Sequence, residues 1–436
     1  MVFRFVVGWI GRLIGLLAGL IVLTWPLFWP PPELRGVWRT QGYGLVVDVG
    51  RIMVTAYQRT EVSCLPVYRG PAHSLVLAEL GDIALNAEGD GGLRIDIDGA
   101  SNPIRTRRLD ALPAACAEGG TPQEPTVRDA FDIAWHGLNE HYPFFDRHGI
   151  DWPARYEALA PGVRTLDDLW PAMQDLLAGI DDTLVYLFDP EGGRAVTPAE
   201  TPPWHAKAVD FREIPRANDL TRVGDTGLEY TVLEGNIGYV FLRHTATRPG
   251  VGTAQDVTAA SAFSRVADAL RDTRAIILDN RLNPGGSDAV ALAYAGFFTD
   301  SPVRAFSKEI RTENEYTPPE TARTIATDLP LTQPVYLLNS SYTAGAAEVL
   351  TLALGEMPQV TVVGARTAGA LSDIMEITLP TDWRLGMAHQ VYRDAAGAVV
   401  NGVGVAPETA LPFDAPAFRA GRDPGVKSVL DMIKNG

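Results

Sequence analysis

Thiols are scarce in this sequence. Cys64 and Cys116 are the two cysteines among 436 residues. No C-x-x-C pair and no His/Cys cluster occurs, which argues against a structural zinc site, and neither a metal nor a cofactor is expected. The two thiols are free to pair in an oxidising compartment and would stay reduced in the cytosol. Positive charge is also in short supply: 37 Lys and Arg stand against 53 Asp and Glu, a formal net charge of −16. No basic run is dense enough to face phosphates, so no nucleic-acid partner is expected. Charged residues at 21% and hydrophobic ones at 46% describe a foldable chain, not a disordered one. The length accommodates two or three domains.

What is present begins with an apolar N-terminus. Residues 5 to 29 carry no polar side chain that is strongly hydrated except Arg12 and Thr24. Arg4 and Arg12 lie on the first side of the apolar run, Trp25 and Trp29 close it, and Pro30, Pro31 and Pro32 end any helix there. No small-x-small cleavage site follows. Residues 1–32 are therefore expected to be a membrane anchor, an N-terminal transmembrane helix, with the body on the periplasmic or extracellular side. Arg12 interrupts that run, and from Leu13 to Pro26 it is short for a full span.

Residues 36–116 read as a β-rich module, a small β-barrel or curled sheet. Short alternating runs at Leu45 to Val49, Ile52 to Tyr57, Ser74 to Ala78, Asp82 to Asn86 and Leu93 to Ile97 are separated by Gly, Pro and Asp. Trp38 and Tyr43 are read as core packing. Cys64 lies inside the module and Cys116 at its exit, so a disulfide closing it onto the following linker is open. After the linker 117–125, residues 126–188 have helical periodicity and read as a helical cap. Its His141 and His148 border aromatics and are read as packing and helix-end charge, not as metal ligands. Residues 189–232 are a Pro-rich connection of weak pattern. Over 233–415 strands and helices alternate, which points to an α/β core.

The core centres on residues 274–286, R-A-I-I-L-D-N-R-L-N-P-G-G. Ala275 to Leu278 form a short strand buried on both faces. Pro284 fixes its own φ, and Gly285 and Gly286 open backbone conformations closed to other residues. Such a pair at a strand exit can aim its N–H groups at one point and hold an oxyanion or a peptide carbonyl. An ordinary strand-to-helix turn has the same residues.

Four runs in order, D-N-R-L-N-P-G-G, L-L-N-S-S-Y-T-A-G-A-A-E, V-V-G-A-R-T-A-G and N-G-V-G-V-A-P-E, resemble those of the tail-specific, or C-terminal-processing, serine peptidases. H-Y-P-F-F-D-R-H-G-I-D-W and L-A-G-I-D-D-T-L-V resemble the cap of the branch that holds tricorn core protease and the interphotoreceptor retinoid-binding protein. The resemblance spans roughly residues 126 to 412 and implies a crotonase-like core of stacked ββα units, with cleavage of peptides near their C-termini. No PDZ-like module is evident between cap and core.

The chemistry does not carry over. The family's nucleophilic serine would stand at Gly345, between Thr343 and Glu348. The lysine base of one branch falls at Ala370, the histidine base of the tricorn-like branch at Leu184, and the assisting glutamate at Asn401. Gly285, Gly286, Gly345 and Ala346 keep backbone N–H groups that suit an oxyanion or peptide-binding pocket. Thr343 and Ser341 are the possible substitute nucleophiles, and His389 the possible substitute base. The sequence thus predicts a membrane-tethered, catalytically impaired relative of these peptidases that binds polypeptide C-termini or unfolded peptides. The alternatives are an active endopeptidase with a rearranged nucleophile and a carrier of small hydrophobic ligands.

Overall fold

Alternating runs broken by Gly, Asp and Pro fold locally into an antiparallel sheet. The computed structural model describes residues 30–71, 83–89, 91–117, 125–201, 205, 208, 210, 220–248, 253–313 and 315–435. Strands β1 (Gly36–Thr40), β2 (Leu45–Val49), β3 (Met53–Arg59), β4 (Cys64–Pro71), β5 (Ile83–Ala87), β6 (Leu93–Ile97) and β7 (Ile104–Leu109) lie in the order β4-β3-β2-β1-β7-β6-β5. The expected barrel is an open sheet: β4 and β5 are its two edges among the described residues. The expected run Ser74 to Ala78 lies outside the described residues. Trp38 is buried, as a core residue should be, but Tyr43 is not packed that way. It sits at the β1–β2 turn with φ 61° between Gly42 and Gly44, a backbone region unfavourable to a side chain. Its hydroxyl reaches Asp373 of the core at 3.1 Å.

Helix α1 (Val127–His141) starts at Thr126, whose hydroxyl accepts from the Asp129 N–H while the Asp129 carboxylate accepts from the Thr126 N–H. Helix α2 (Trp152–Leu159) begins at an Asp151 cap and α3 (Leu166–Leu177) at a second Thr/Asp capping box, Thr165 with Asp168. Apolar residues at helical spacing, among them Phe131, Ala134, Leu138, Leu169, Met173 and Leu176, are fully buried in one cluster. Strands β8 (Tyr186–Asp189) and β9 (Arg194–Val196) follow.

The rest of the chain alternates. β10 (Thr221–Arg222), β11 (Leu228–Leu233) and β12 (Ile237–Leu242) lead through α4 (Gln255–Leu270) to β13 (Ala275–Asp279) and α5 (Asp288–Ala295). β14 (Arg304–Thr312), β15 (Glu315–Tyr316) and β16 (Glu320–Arg323) form a side sheet. Then come β17 (Val335–Asn339), α6 (Ala346–Gly355), β18 (Val360–Gly364), β19 (Ile374–Thr378), β20 (Arg384–Ala388), β21 (Gln390–Arg393), β22 (Thr409–Ala410), α7 (Ala415–Arg419) and α8 (Pro424–Asn435). The main sheet runs β10-β11-β12-β13-β17-β18-β22 and is parallel from β12 onward. Successive side chains point to opposite faces. Val240, Ile276, Leu278 and Leu337 therefore meet α4, α5 and α6 on one side. Tyr239, Ile277 and Leu338 meet α7 and α8 on the other. Helices on both faces are what make the central strands continuous apolar runs. The β19–β20 hairpin leaves this sheet and pairs with β8, which joins cap and core through one hydrogen-bonded ladder.

One expectation is overturned. No helix among the described residues is long and apolar enough to cross a membrane, so the N-terminal transmembrane helix is not supported. Residues 1–29 of the anchor expected over 1–32 lie outside the described residues, and Pro32–Leu34 form a short 3-10 turn. Arg12 is the physical weakness of that expectation, since it shortens the uninterrupted apolar run below the roughly 20 residues a span requires.

Cys64, at the start of β4, is disulfide-bonded to Cys116, in the 3-10 turn that ends the sheet region, across 52 positions. Closing a loop of that length removes entropy from the unfolded chain worth about 4 kcal/mol in the chain-entropy account. Cys64→Ser and Cys116→Ser are each expected to lower the denaturant midpoint of the module's unfolding transition, and dithiothreitol should have the same effect on the parent protein and none on the variants.

Candidate functional site

Strand β13 delivers the centre of the site. Asp279 at its end is fully buried and bound through both oxygens by Arg281, at 2.9 and 2.7 Å, with Tyr239 donating a third bond at 2.6 Å. Arg281 also holds Asp423, at 2.8 and 2.6 Å, so the start of α8 anchors the loop. Next, the Asn280 amide donates to Asn339 and to the Ala347 carbonyl, Asn283 donates to Asn280, and the Gly285 N–H donates to Asn283. This chain of amides fixes where Gly285 and Gly286 stand. Both have positive φ, 100° and 147°. A Cβ on Gly285 would lie 2.7 Å from the Ala344 carbonyl and 2.9 Å from the Ala346 nitrogen, so glycine is required by the close approach of the two loops.

The second loop is the entry to α6. The sequence suggests a helix from Thr343, yet it begins at Ala346, because Gly345 adopts φ 56°, ψ −126°. This sharp turn exposes the residue it carries at the head of a helix. A side chain at Gly345 would find ordinary contacts, 3.7 Å to the carbonyls of Ala370 and Pro284 and 3.9 Å to Gly285 Cα. There is room for a side chain, and the cost is the backbone conformation.

Glu348 ties the elements together. Its buried carboxylate accepts from the Thr367 hydroxyl at 2.6 Å and from the N–H groups of Gly369, Ala370 and Gly345 at 2.7, 2.8 and 3.1 Å. The turn at Gly345 and the loop at Ala370 are thereby held side by side. Of the four expected carbonyl-holding N–H groups, those of Gly285 and Gly345 are engaged internally, by Asn283 and Glu348. Gly286 and Ala346 are the two with no recorded bond among the described residues. A cavity of 360 Å³ lies against Gly286 and Ser287, walled by Asp373 of the core and by Tyr43, Gly99 and Asn102 of the β-module. The β6–β7 turn forms the roof: the Gly99 carbonyl accepts from the Ser287 hydroxyl at 2.8 Å and Ser101 donates to Asp288 at 3.1 Å.

The remaining expected residues separate. The Thr343 hydroxyl is fully buried and donates to the Asn280 carbonyl at 2.9 Å while accepting from Ser340, so it serves the turn. Asn401 is buried, and its amide bridges the backbone at Leu371, Gln390 and Tyr392. Leu184 packs against the cap cluster. The His389 ring makes no hydrogen bond to a hydroxyl among the described residues: it is fully buried, it lies edge-on to Tyr43 at 4.6 Å, and burial pushes its pKa down to about 3. Ser341 stands at the tip of the turn, 3.3 Å from Nε2 of His205, whose pKa burial lowers. His205 comes from the Pro-rich connection, and no periodicity or spacing there signalled it. His148, read as packing, lies in a polar chain with Tyr142, at 2.9 Å, and Asp182, two residues before Leu184.

With this geometry in place, comparison with known proteins assigns the region. Residues 236–411 match the model of peptidase family S41, and residues 123–178 match that of the tricorn protease C1 domain. Among solved structures, a putative peptidase from Parabacteroides merdae ATCC 43184 is similar, with TM-score 0.60, 21% identity, 71% of this chain and 97% of that chain covered. Mature CPAF is similar with TM-score 0.51 and 13% identity over 71% of this chain and 96% of that one. At such identities the structural likeness is one of fold.

Burial pushes the Glu348 carboxyl up to about 7, against the four donors that pull it down. Between its ordinary value of 4.5 and about 7, the folded chain holds a proton that the unfolded chain has released. Stability should therefore fall as pH rises through that window, by on the order of 3 kcal/mol, and be level above it. Chemical denaturation from pH 4.5 to 8 reads this slope, which should be absent in Glu348→Gln whatever that variant's own stability.

Proposed function

We propose that this chain, whose residues 236–411 match the model of peptidase family S41, is a catalytically silent member of that family that holds extended polypeptide ends without cutting them. The observation that carries this reading is the turn at Gly345. Its backbone has the sharp geometry that presents a nucleophile, yet it bears no atom that can attack. Ala370, beside it through Glu348, has no basic group. A pocket that keeps carbonyl-directed N–H groups without nucleophile and base contributes binding, and at most a residual acceleration. The cavity at Gly286 suits a narrow, extended occupant, and polypeptides are the substrates the family suggests. The Cys64–Cys116 disulfide supports a working place outside the reducing cytosol.

A second reading has one observation of its own. The Ser341 hydroxyl near the His205 imidazole is the pairing a rearranged serine peptidase would use, with a base kept neutral by burial.

A fluorophosphonate probe separates the two. We expect no labelling of the parent protein, and fluorescence anisotropy should register binding of an unstructured peptide without turnover. Gly345→Ser with Ala370→Lys should acquire labelling at residue 345, at a backbone cost of about 1–2 kcal/mol. Labelling of the parent protein that disappears in Ser341→Ala would establish the second reading, and absence of any peptide binding would defeat the first.

A further inference from the structure

A second site lies away from the peptidase elbow, where the β-module meets the cap. His136 and Glu140 are four residues apart on α1 and so project from the same helix face. Glu61 reaches them from the turn between β3 and β4. That turn is rigid: the Thr60 N–H donates to the Ser63 carbonyl at 2.9 Å, the two hydroxyls bond at 2.8 Å, and disulfide-bonded Cys64 comes next. The Glu61 N–H donates to the Glu140 carboxylate at 2.6 Å, which sets the register between turn and helix. One ligand atom from each of Glu61, His136 and Glu140 falls within 4.8 Å of the other two.

The ring nitrogen gives this cluster its meaning. Nδ1 of His136 is buried and has no hydrogen-bond partner among the described residues, and it faces the Glu61 carboxylate at 3.4 Å. A lone pair and a carboxylate oxygen at that distance repel unless a proton or a cation lies between them. Ligand atoms around a tetrahedral zinc, at bonds of about 2.0–2.1 Å, stand roughly 3.3 Å apart. Glu140 is buried to 6% exposure, whereas the Glu61 side chain is 73% exposed, so the site has a fixed floor and an open door. Trp135 holds the imidazole edge-on at 4.7 Å. One imidazole and two carboxylates suit a borderline cation better than magnesium or calcium, which prefer all-oxygen shells.

We propose that Glu61, His136 and Glu140 bind a single zinc-class divalent cation that fastens the β-module to the cap. Three protein ligands leave a fourth position for water. This reverses the expectation of a chain without a metal, which weighed Cys/His clusters and helical spacing within one segment. Glu61 lies 75 and 79 positions before His136 and Glu140, and spacing could not disclose that it joins them.

The test uses the tag-free full chain equilibrated with zinc and then dialysed. Elemental analysis should find one zinc per chain, and calorimetric titration one site. Zinc should raise Tm, since it binds the folded chain. His136→Ala should abolish both effects, and Glu61→Gln should weaken zinc binding by more than about tenfold. Glu61→Gln alters an exposed side chain, so it remains decisive if circular dichroism finds His136→Ala unfolded. Substoichiometric zinc in the parent, or binding and Tm shift retained in Glu61→Gln, would overturn the site and leave a plain ion pair between His136 and Glu61. Neither result bears on the reading of Gly345.

Discussion

One carboxylate holds the candidate site in shape. Glu348 stands fully buried in the first turn of α6 and gathers four donors from two loops. Without those bonds, three backbone N–H groups and a hydroxyl would be stranded in a dry interior, at a cost of about 1–3 kcal/mol for each group left unpaired. The turn at Gly345 depends on this, because its backbone lies where neighbours must impose the conformation. The Asn280–Asn283 amides do the same for Gly285 from the other side, and the bidentate Asp279–Arg281 pair fixes the root of that loop. The two glycine-bearing loops are therefore held in place by buried polar side chains of the elements around them.

That persistence frames the comparison with active relatives. A peptidase needs its nucleophile and base as well as the cradle, and these requirements are physically separable. Here Glu348 holds Gly345 and Ala370 side by side by accepting from both of their N–H groups. Asn401 has been drawn into backbone support at Leu371, Gln390 and Tyr392.

Much of the core was legible in the sequence, for a simple reason. A parallel sheet covered on both faces forces unbroken apolar strands, and Ala275–Asp279, Val335–Asn339 and Val360–Gly364 announce themselves that way. The cap helices were equally plain from their period and their Thr/Asp starts. β4 and β14 were not. Cys64–Pro71, an edge strand, carries Pro66 and Pro71, and Arg304–Thr312 is too charged to alternate clearly. At the site, the glycine pair was readable because backbone geometry demands glycine there, and Gly345 because the resemblance marks its position. The Ser341–His205 contact and the engagement of Thr343 were not, since both arise from residues more than 60 positions apart. The expected transmembrane helix finds no support among the described residues, where no helix is long and apolar enough to cross a membrane.

The roof over Gly286 carries a last consequence. The β6–β7 turn is bolted to Ser287 and Asp288, and Tyr43 reaches across to Asp373, so the chamber between them is bounded by backbone and short side chains on both sides. Whatever occupies the cavity must touch the β-module and the core at once, so occupancy would couple the two.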